Sequence, residues 1–134
     1  MTFEDIREFV DCCRAIGSDE VSFCDAESFA DENIDGAAPG GFLNPFGYFV
    51  IGTTIGGNAV VVGETDPRVC FADHEWYDDE EISYQDLAGD RQWRTVPRTA
   101  ETVRDTLFEL ATTREQFLAS LRSGAIDRTL GPIG

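Results

Sequence analysis

Residues 67–81 read P-R-V-C-F-A-D-H-E-W-Y-D-D-E-E and hold the chain's single histidine, His74; from Asp73 to Glu81 six residues are carboxylates and none is basic. Imidazole and carboxylates side by side are the groups that bind metals or move protons, so Asp73, His74 and Glu75 are first weighed as ligands or as an acid/base pair. Two features count against that chemistry. Neighbours on a strand point to opposite faces, and no second histidine is present to complete a zinc or nuclease site. The run Asp78 to Glu81 also lacks the alternating D-x-D-x-D-G loop of an EF-hand. Gly56-Gly57 has no following Lys-Ser/Thr and precedes a strand-like run, so it reads as turn chemistry and not as a phosphate loop. What remains is a solvated acidic face or a docking surface, one that repels nucleic acid and anionic membranes and attracts a basic partner. Trp76 and Tyr77 sit inside the acidic block, and aromatic anchors rimmed by charge are typical of interface hot spots; Trp76, Tyr77 and Trp93 are otherwise core or core-edge residues.

The wider composition fits that reading. The chain has 134 residues, a net charge of −16 and a hydrophobic fraction of 42% with ten phenylalanines. Such a chain buries enough apolar surface to fold as one domain in spite of its charge. Acids concentrate in residues 1–40 and 73–90, whereas residues 91–134 carry more arginines than acids. Cysteines at 12, 13, 24 and 70 form no C-x-x-C pair, which leaves them as small buried apolar groups. The opening M-T-F-E-D-I-R-E-F is acidic and amphipathic where a secretory signal is basic and then apolar, and no run reaches membrane-spanning length. These features predict a cytoplasmic protein with reduced thiols.

The elements that must position the acidic block follow from periodicity and turn chemistry. Thr2 is placed to cap a helix whose apolar residues Ile6, Phe9, Val10 and Cys13 recur at helical spacing, with Gly17 as its stop. Val21 to Cys24 reads as a short strand, Ser28 to Ile34 as a turn of helix, and Gly36 to Gly47 as a long connection. Tyr48 to Gly52 and Ala59 to Val62 flank T-T-I-G-G-N and predict an antiparallel hairpin. Val69 to Ala72 is the next strand, after the turn at Thr65 to Pro67. For Thr106 to Ala111, helix and strand both fit. Thr113 with Gln116 resembles a capping box, opening a last helix that buries Phe117, Leu118 and Leu121 and ends at Gly124. The order helix, strands, helix predicts an α+β domain with helices packed on one antiparallel sheet.

Gly56-Gly57-Asn58 leading into Val60-Val61-Val62, the strand Val69 to Ala72 ending in Asp73-His74-Glu75, and Phe117-Leu118-x-x-Leu121 together resemble the SUKH (SMI/KNR-like) superfamily, over roughly residues 42–121. The family's early L-P-x-x-Y…N-G signature is missing: F-E-D-I-R-E-F-V and Ile16-Gly17 stand in its place. Thr113-Arg114-Glu115-Gln116-Phe117-Leu118 is likewise one aromatic short of the family's S-F-E-E-F-L. The resemblance implies a non-enzymatic protein without cofactor or metal. In bacteria such proteins are typically immunity proteins that bind a cognate toxin, and a basic nuclease toxin would complement the acidic face. The expected contact surface is Asp73, Glu75, Trp76, Tyr77, Asp78, Asp79, Glu80 and Glu81. A regulatory or scaffold domain of the kind found among fungal relatives is the alternative, and a small metal-dependent hydrolase a third.

Overall fold

The computed structural model describes residues 3–34 and 38–134. Thr2, the expected first cap, lies outside them, as does part of the Gly36 to Gly47 connection. Helix α1 (Phe3–Ile16) ends at Gly17, whose φ of +81° suits glycine and stops the helix. Its stripe of Ile6, Phe9, Val10 and Cys13 is buried as the spacing requires, whereas Cys12, one residue round the helix, is exposed. That placement corrects the expectation of four buried thiols. All four cysteines are free, and burial pushes the Cys13 and Cys70 thiols up to about 12.

Strand β1 (Val21–Phe23) leads into α2 (Ala26–Asn33), which starts in a capping box: Asp25 accepts from the Ser28 amide while Ser28 Oγ accepts from the Asp25 amide. A short helix α3 (Gly40–Leu43) and a 3₁₀ turn (Asn44–Phe46) follow, filling the described part of the expected connection. The hairpin is β2 (Tyr48–Thr54) with β3 (Ala59–Gly63), and β4 (Val69–Ala72) pairs with β3. The ambiguous stretch is both things in turn: α4 (Ala100–Thr106) stops at Leu107, whose ψ of 133° starts strand β7 (Phe108–Ala111). Helices α5 (Arg114–Ser123) and α6 (Ala125–Leu130) close the described chain, joined at Gly124 with φ +79°. At the head of α5, Thr113 accepts from the Gln116 amide, but the Gln116 side chain reaches back to Thr112 instead of completing a box on Thr113.

The main sheet has the order β1-β2-β3-β4-β7, antiparallel throughout. Every residue of β3 and β4 is buried, because both faces of the sheet are covered. Val60, Val62, Val69 and Phe71 face one core with α1, α2, α5 and α6, where Phe117 packs edge-on against Phe23 and tilted against Phe9. Ala59, Val61, Cys70 and Ala72 face a second core with Leu43 of α3 and Val103 of α4. Sequence reading did not anticipate the element that completes this second layer, a two-stranded ribbon of β5 (Glu81–Gln85) and β6 (Trp93–Pro97) whose Ile82 is fully buried.

Past the end of β1 the outer edge of β2 is satisfied by a side chain. Buried Asn33 accepts from the Val50 amide at 2.7 Å and donates to the Val50 carbonyl at 2.8 Å, beside the bulge between Val50 and Gly52. Among the described residues no helix is long and apolar enough to cross a membrane.

Candidate functional site

The β2–β3 turn and the end of β4 meet at one side-chain pair. Gly57 adopts φ +84°, and a Cβ on Gly56 would stand 2.1 Å from the Gly134 oxygen, which accepts from the Gly56 amide and from Thr54 Oγ1. Held by that turn, Asn58 is buried and its Oδ1 accepts from the His74 amide at 3.1 Å and from His74 Nδ1 at 2.8 Å. An amide oxygen is only an acceptor, so this contact places the imidazole proton on Nδ1. Nε2 is left facing Glu75 Oε1 at 3.8 Å, across from Asp73 at 4.0 Å on the Nδ1 side. The Gly-Gly-Asn and Asp-His-Glu segments are thus one structural unit, and His74 acts in it as a strand-end latch.

Strand β4 ends at Ala72, so Asp73 to Trp76 form a turn closed by the Trp76 amide on the Asp73 carbonyl at 3.2 Å. The strand alternation expected for residues 73 and 74 therefore does not operate. Asp73 and His74 are half-buried, and Glu75 is 81% exposed along its side chain. Among the described residues no three His, Cys, Asp or Glu side chains gather as a metal site would require.

Trp76 and Tyr77 depart from the expected contact surface. Each is only 4% exposed, and both belong to the second core. The Trp76 ring packs against Tyr84, centroids 6.3 Å apart. The Tyr77 hydroxyl lies 3.2 Å from Thr106 Oγ1, which gives its own proton to the Thr102 carbonyl, so Tyr77 is the donor; burial pushes its phenol well above the usual range. Two consecutive side chains are both buried because the turn abandons strand geometry there. Neither ring stands on the exposed acidic face, and both root the acidic loop in the core. Trp93, assigned to the core or its edge, is instead 63% exposed on β6.

Asp78, Asp79, Glu80 and Glu81 do lie at the surface, all exposed. Asp78 Oδ1 accepts from the amides of Glu80 at 2.9 Å and Glu81 at 2.6 Å, and these bonds, the Glu81 amide first, hold its carboxyl below the ordinary range. The loop's main anchor went unrecognised in the sequence. Arg98 donates from Nε and Nη2 to the Asp79 carbonyl at 3.1 and 2.8 Å and from Nη1 to the Phe42 carbonyl at 2.7 Å. Its guanidinium also lies over the Phe42 and Phe46 rings, 5.9 and 5.2 Å from their centroids. Because Arg98 grips backbone carbonyls, it fixes the loop without engaging a carboxylate. Among the described residues no basic side chain forms an ion pair with residues 78–81.

A second polar centre, also missed, lies on the same sheet. Asp66 accepts from Tyr48 Oη at 2.8 Å and from Arg68 Nη2 at 2.7 Å, and Arg68 Nη2 also reaches the Arg104 carbonyl at 3.0 Å. Burial alone would raise the Asp66 carboxyl, but hydrogen bonds from Arg68 and Tyr48 outweigh it and hold the group at about 2, while burial first and Asp66 second push the Tyr48 phenol up to about 12. This network is closed on itself, so it reads as a staple between the β3–β4 turn and α4.

No protein-family model, curated protein or solved structure matches this chain.

Proposed function

We propose that this chain is a SUKH-like binding protein of the immunity type, without catalytic duty or cofactor, which neutralises a basic protein toxin of nuclease type through the loop Asp78 to Glu81, flanked by Asp73 and Glu75. The observation that carries the reading is the Arg98 clamp. Its side chain grips the Asp79 carbonyl and its amide the Glu80 carbonyl, while among the described residues none of the four carboxylates from Asp78 to Glu81 is in an ion pair. A preorganised anionic surface loses little conformational freedom on association and accelerates encounter with a cationic groove, the groove a nuclease uses for phosphates. The Asn58–His74 contact supports the family resemblance in a limited way, since it gives two of the resembling motifs a shared structural purpose. Trp76 and Tyr77 enter this reading as the loop's foundation and not as contact residues.

The test is protection. The gene beside this one is co-expressed with the wild-type chain and with a chain carrying Asp79→Lys, Glu80→Lys and Glu81→Lys. Rescue of growth by the wild type and loss of rescue by the folded variant is the expected result. A neighbouring product that is not toxic, yet binds the same loop, would instead favour a regulatory or scaffold role.

A further inference from the structure

A cleft of about 480 Å³ opens between the end of β5 and the β7 edge of the main sheet, and it shares only Trp76 with the acidic segment 73–81. We propose that this cleft receives an extended, arginine-bearing segment of a partner protein. Its lining residues include Tyr84 and Leu87, which pack against the second core, Phe108 on the sheet edge, and three exposed carboxylates, Asp86, Asp105 and Glu109. No basic side chain lines it. An aromatic side chain beside carboxylates in a cleft free of cations forms a site for a guanidinium, which stacks and donates two parallel hydrogen bonds to one carboxylate where an ammonium does neither as well.

The shape points to an extended chain. β7 terminates the sheet and pairs on one side only, with β4, so its other edge borders the cleft. In a sheet each residue fills about 160 Å³, from a rise of about 3.3 Å, a strand spacing of about 4.8 Å and a layer thickness of about 10 Å, so the cleft holds about three extended residues. That is one residue short of β7 itself. Glu109 pairs in register with Cys70, which faces the second core, so its carboxylate stands on the ribbon's side of the sheet. Leu87 packs against both cores and so sits over the sheet edge, where it gives an incoming apolar side chain a surface to rest on. A second copy of this chain is the poorer occupant, because a net charge of −16 on each copy opposes their approach.

The inference does not rest on the toxin reading, and its test separates the two. The full chain carrying Trp93→Phe, so that Trp76 alone reports, is titrated with capped six-residue peptides alternating arginine with valine, leucine or phenylalanine, and with lysine and citrulline counterparts. The expected result is a change in Trp76 fluorescence with the arginine peptides, several-fold weaker binding of lysine and at least tenfold weaker binding of citrulline. Asp86→Asn, Asp105→Asn and Glu109→Gln together should weaken the arginine peptide at least tenfold, whereas Asp79→Asn, Glu80→Gln and Glu81→Gln should change it less than threefold. Equal weakening by both sets of substitutions would reduce the effect to diffuse attraction by net charge and overturn the proposal. So would equal binding of citrulline, or no binding of any peptide up to about 1 mM. Peptide-independent dimerisation in sedimentation that buries the cleft would assign it to a second copy instead.

Discussion

Replacing Arg98 by alanine removes a side chain that ties the acidic loop to α3. The wild-type guanidinium donates three hydrogen bonds, the one to the Phe42 carbonyl partly buried and the two to the Asp79 carbonyl exposed, and lies over two phenylalanine rings. A desolvated bond from a charged donor contributes about 1.5–3 kcal/mol, and an exposed one much less because water takes the vacated place. Each cation–π contact adds about 0.5–1 kcal/mol at such sites. Together these give a loss of about 2.5–5 kcal/mol, readable by urea denaturation and as a fall in Tm of roughly 9–18 °C for a chain of this size. Arg98→Lys keeps the charge but cannot span both carbonyls, so it should recover less than half of the loss. Hydrogen exchange supplies the local readout: the Asp78 amide, bonded to the Glu81 carbonyl, and the residue-98 amide, bonded to the Glu80 carbonyl, should both lose protection in the variants. A loss under about 0.5 kcal/mol with unchanged exchange at both amides would refute the clamp.

Other substitutions test the remaining parts of the structure. Phe117, fully buried between Phe9 and Phe23, should cost about 3–5 kcal/mol as alanine in chemical denaturation, and Leu121→Ala about 2–5 kcal/mol. Trp76→Ala should likewise cost about 3–5 kcal/mol, so a loss of partner binding in that variant that vanishes once the folded fraction is accounted for is the expected outcome. Asp66 has its carboxyl lowered from 3.8 to about 2, so the stability it contributes is present above pH about 4 and disappears as pH falls towards 2. That contribution is about 2 kcal/mol, and Asp66→Asn should flatten the acid limb of a stability–pH curve by that amount. His74→Ala should lose about 1 kcal/mol and leave partner binding intact, as measured by denaturation and by titration with the partner; abolished binding on an unchanged fold would assign His74 to the interface.

The parts of the fold legible in the sequence are those where one physical signal dominates. The stripe of Ile6, Phe9, Val10 and Cys13 has one period, and T-T-I-G-G-N between two β-rich runs has one interpretation. The ribbon β5–β6 escaped notice because its apolar face is short: Ile82 and Tyr84 alternate in E-I-S-Y-Q, but W-R-T-V-P adds only Val96 to the second core and leaves Trp93 exposed. Leu107 confused the α4–β7 boundary, since Val103, Leu107 and Leu110 satisfy a helical spacing that the chain abandons after Thr106. Of the expected contact surface, the four acids from Asp78 to Glu81 lie exposed, where their charge and solvation favour them. Trp76 and Tyr77 were misplaced because surrounding charge suggested a surface location, whereas a turn, invisible to periodicity, tucks both inward. Arg98 was hidden for another reason: its partners lie 19 and 56 positions away and are backbone carbonyls, which leave no mark in side-chain composition. Thr99 with Thr102 did carry a signal for α4, a reciprocal cap beside Arg98.

Association kinetics with the product of the neighbouring gene test the central claim most directly. If the clamped loop is the docking surface, the on-rate should fall at least tenfold as ionic strength rises from about 0.01 M to about 0.15 M, as the screening length shrinks from about 30 Å to about 8 Å. The off-rate should change less. A variant with Asp78→Asn, which keeps the Oδ1 acceptor of the turn, together with Asp79→Lys, Glu80→Lys and Glu81→Lys, should lose both the fast on-rate and its salt dependence while melting near the wild type. On-rates that ignore salt and are unchanged in the folded variant would contradict the account and place the binding surface elsewhere on the molecule.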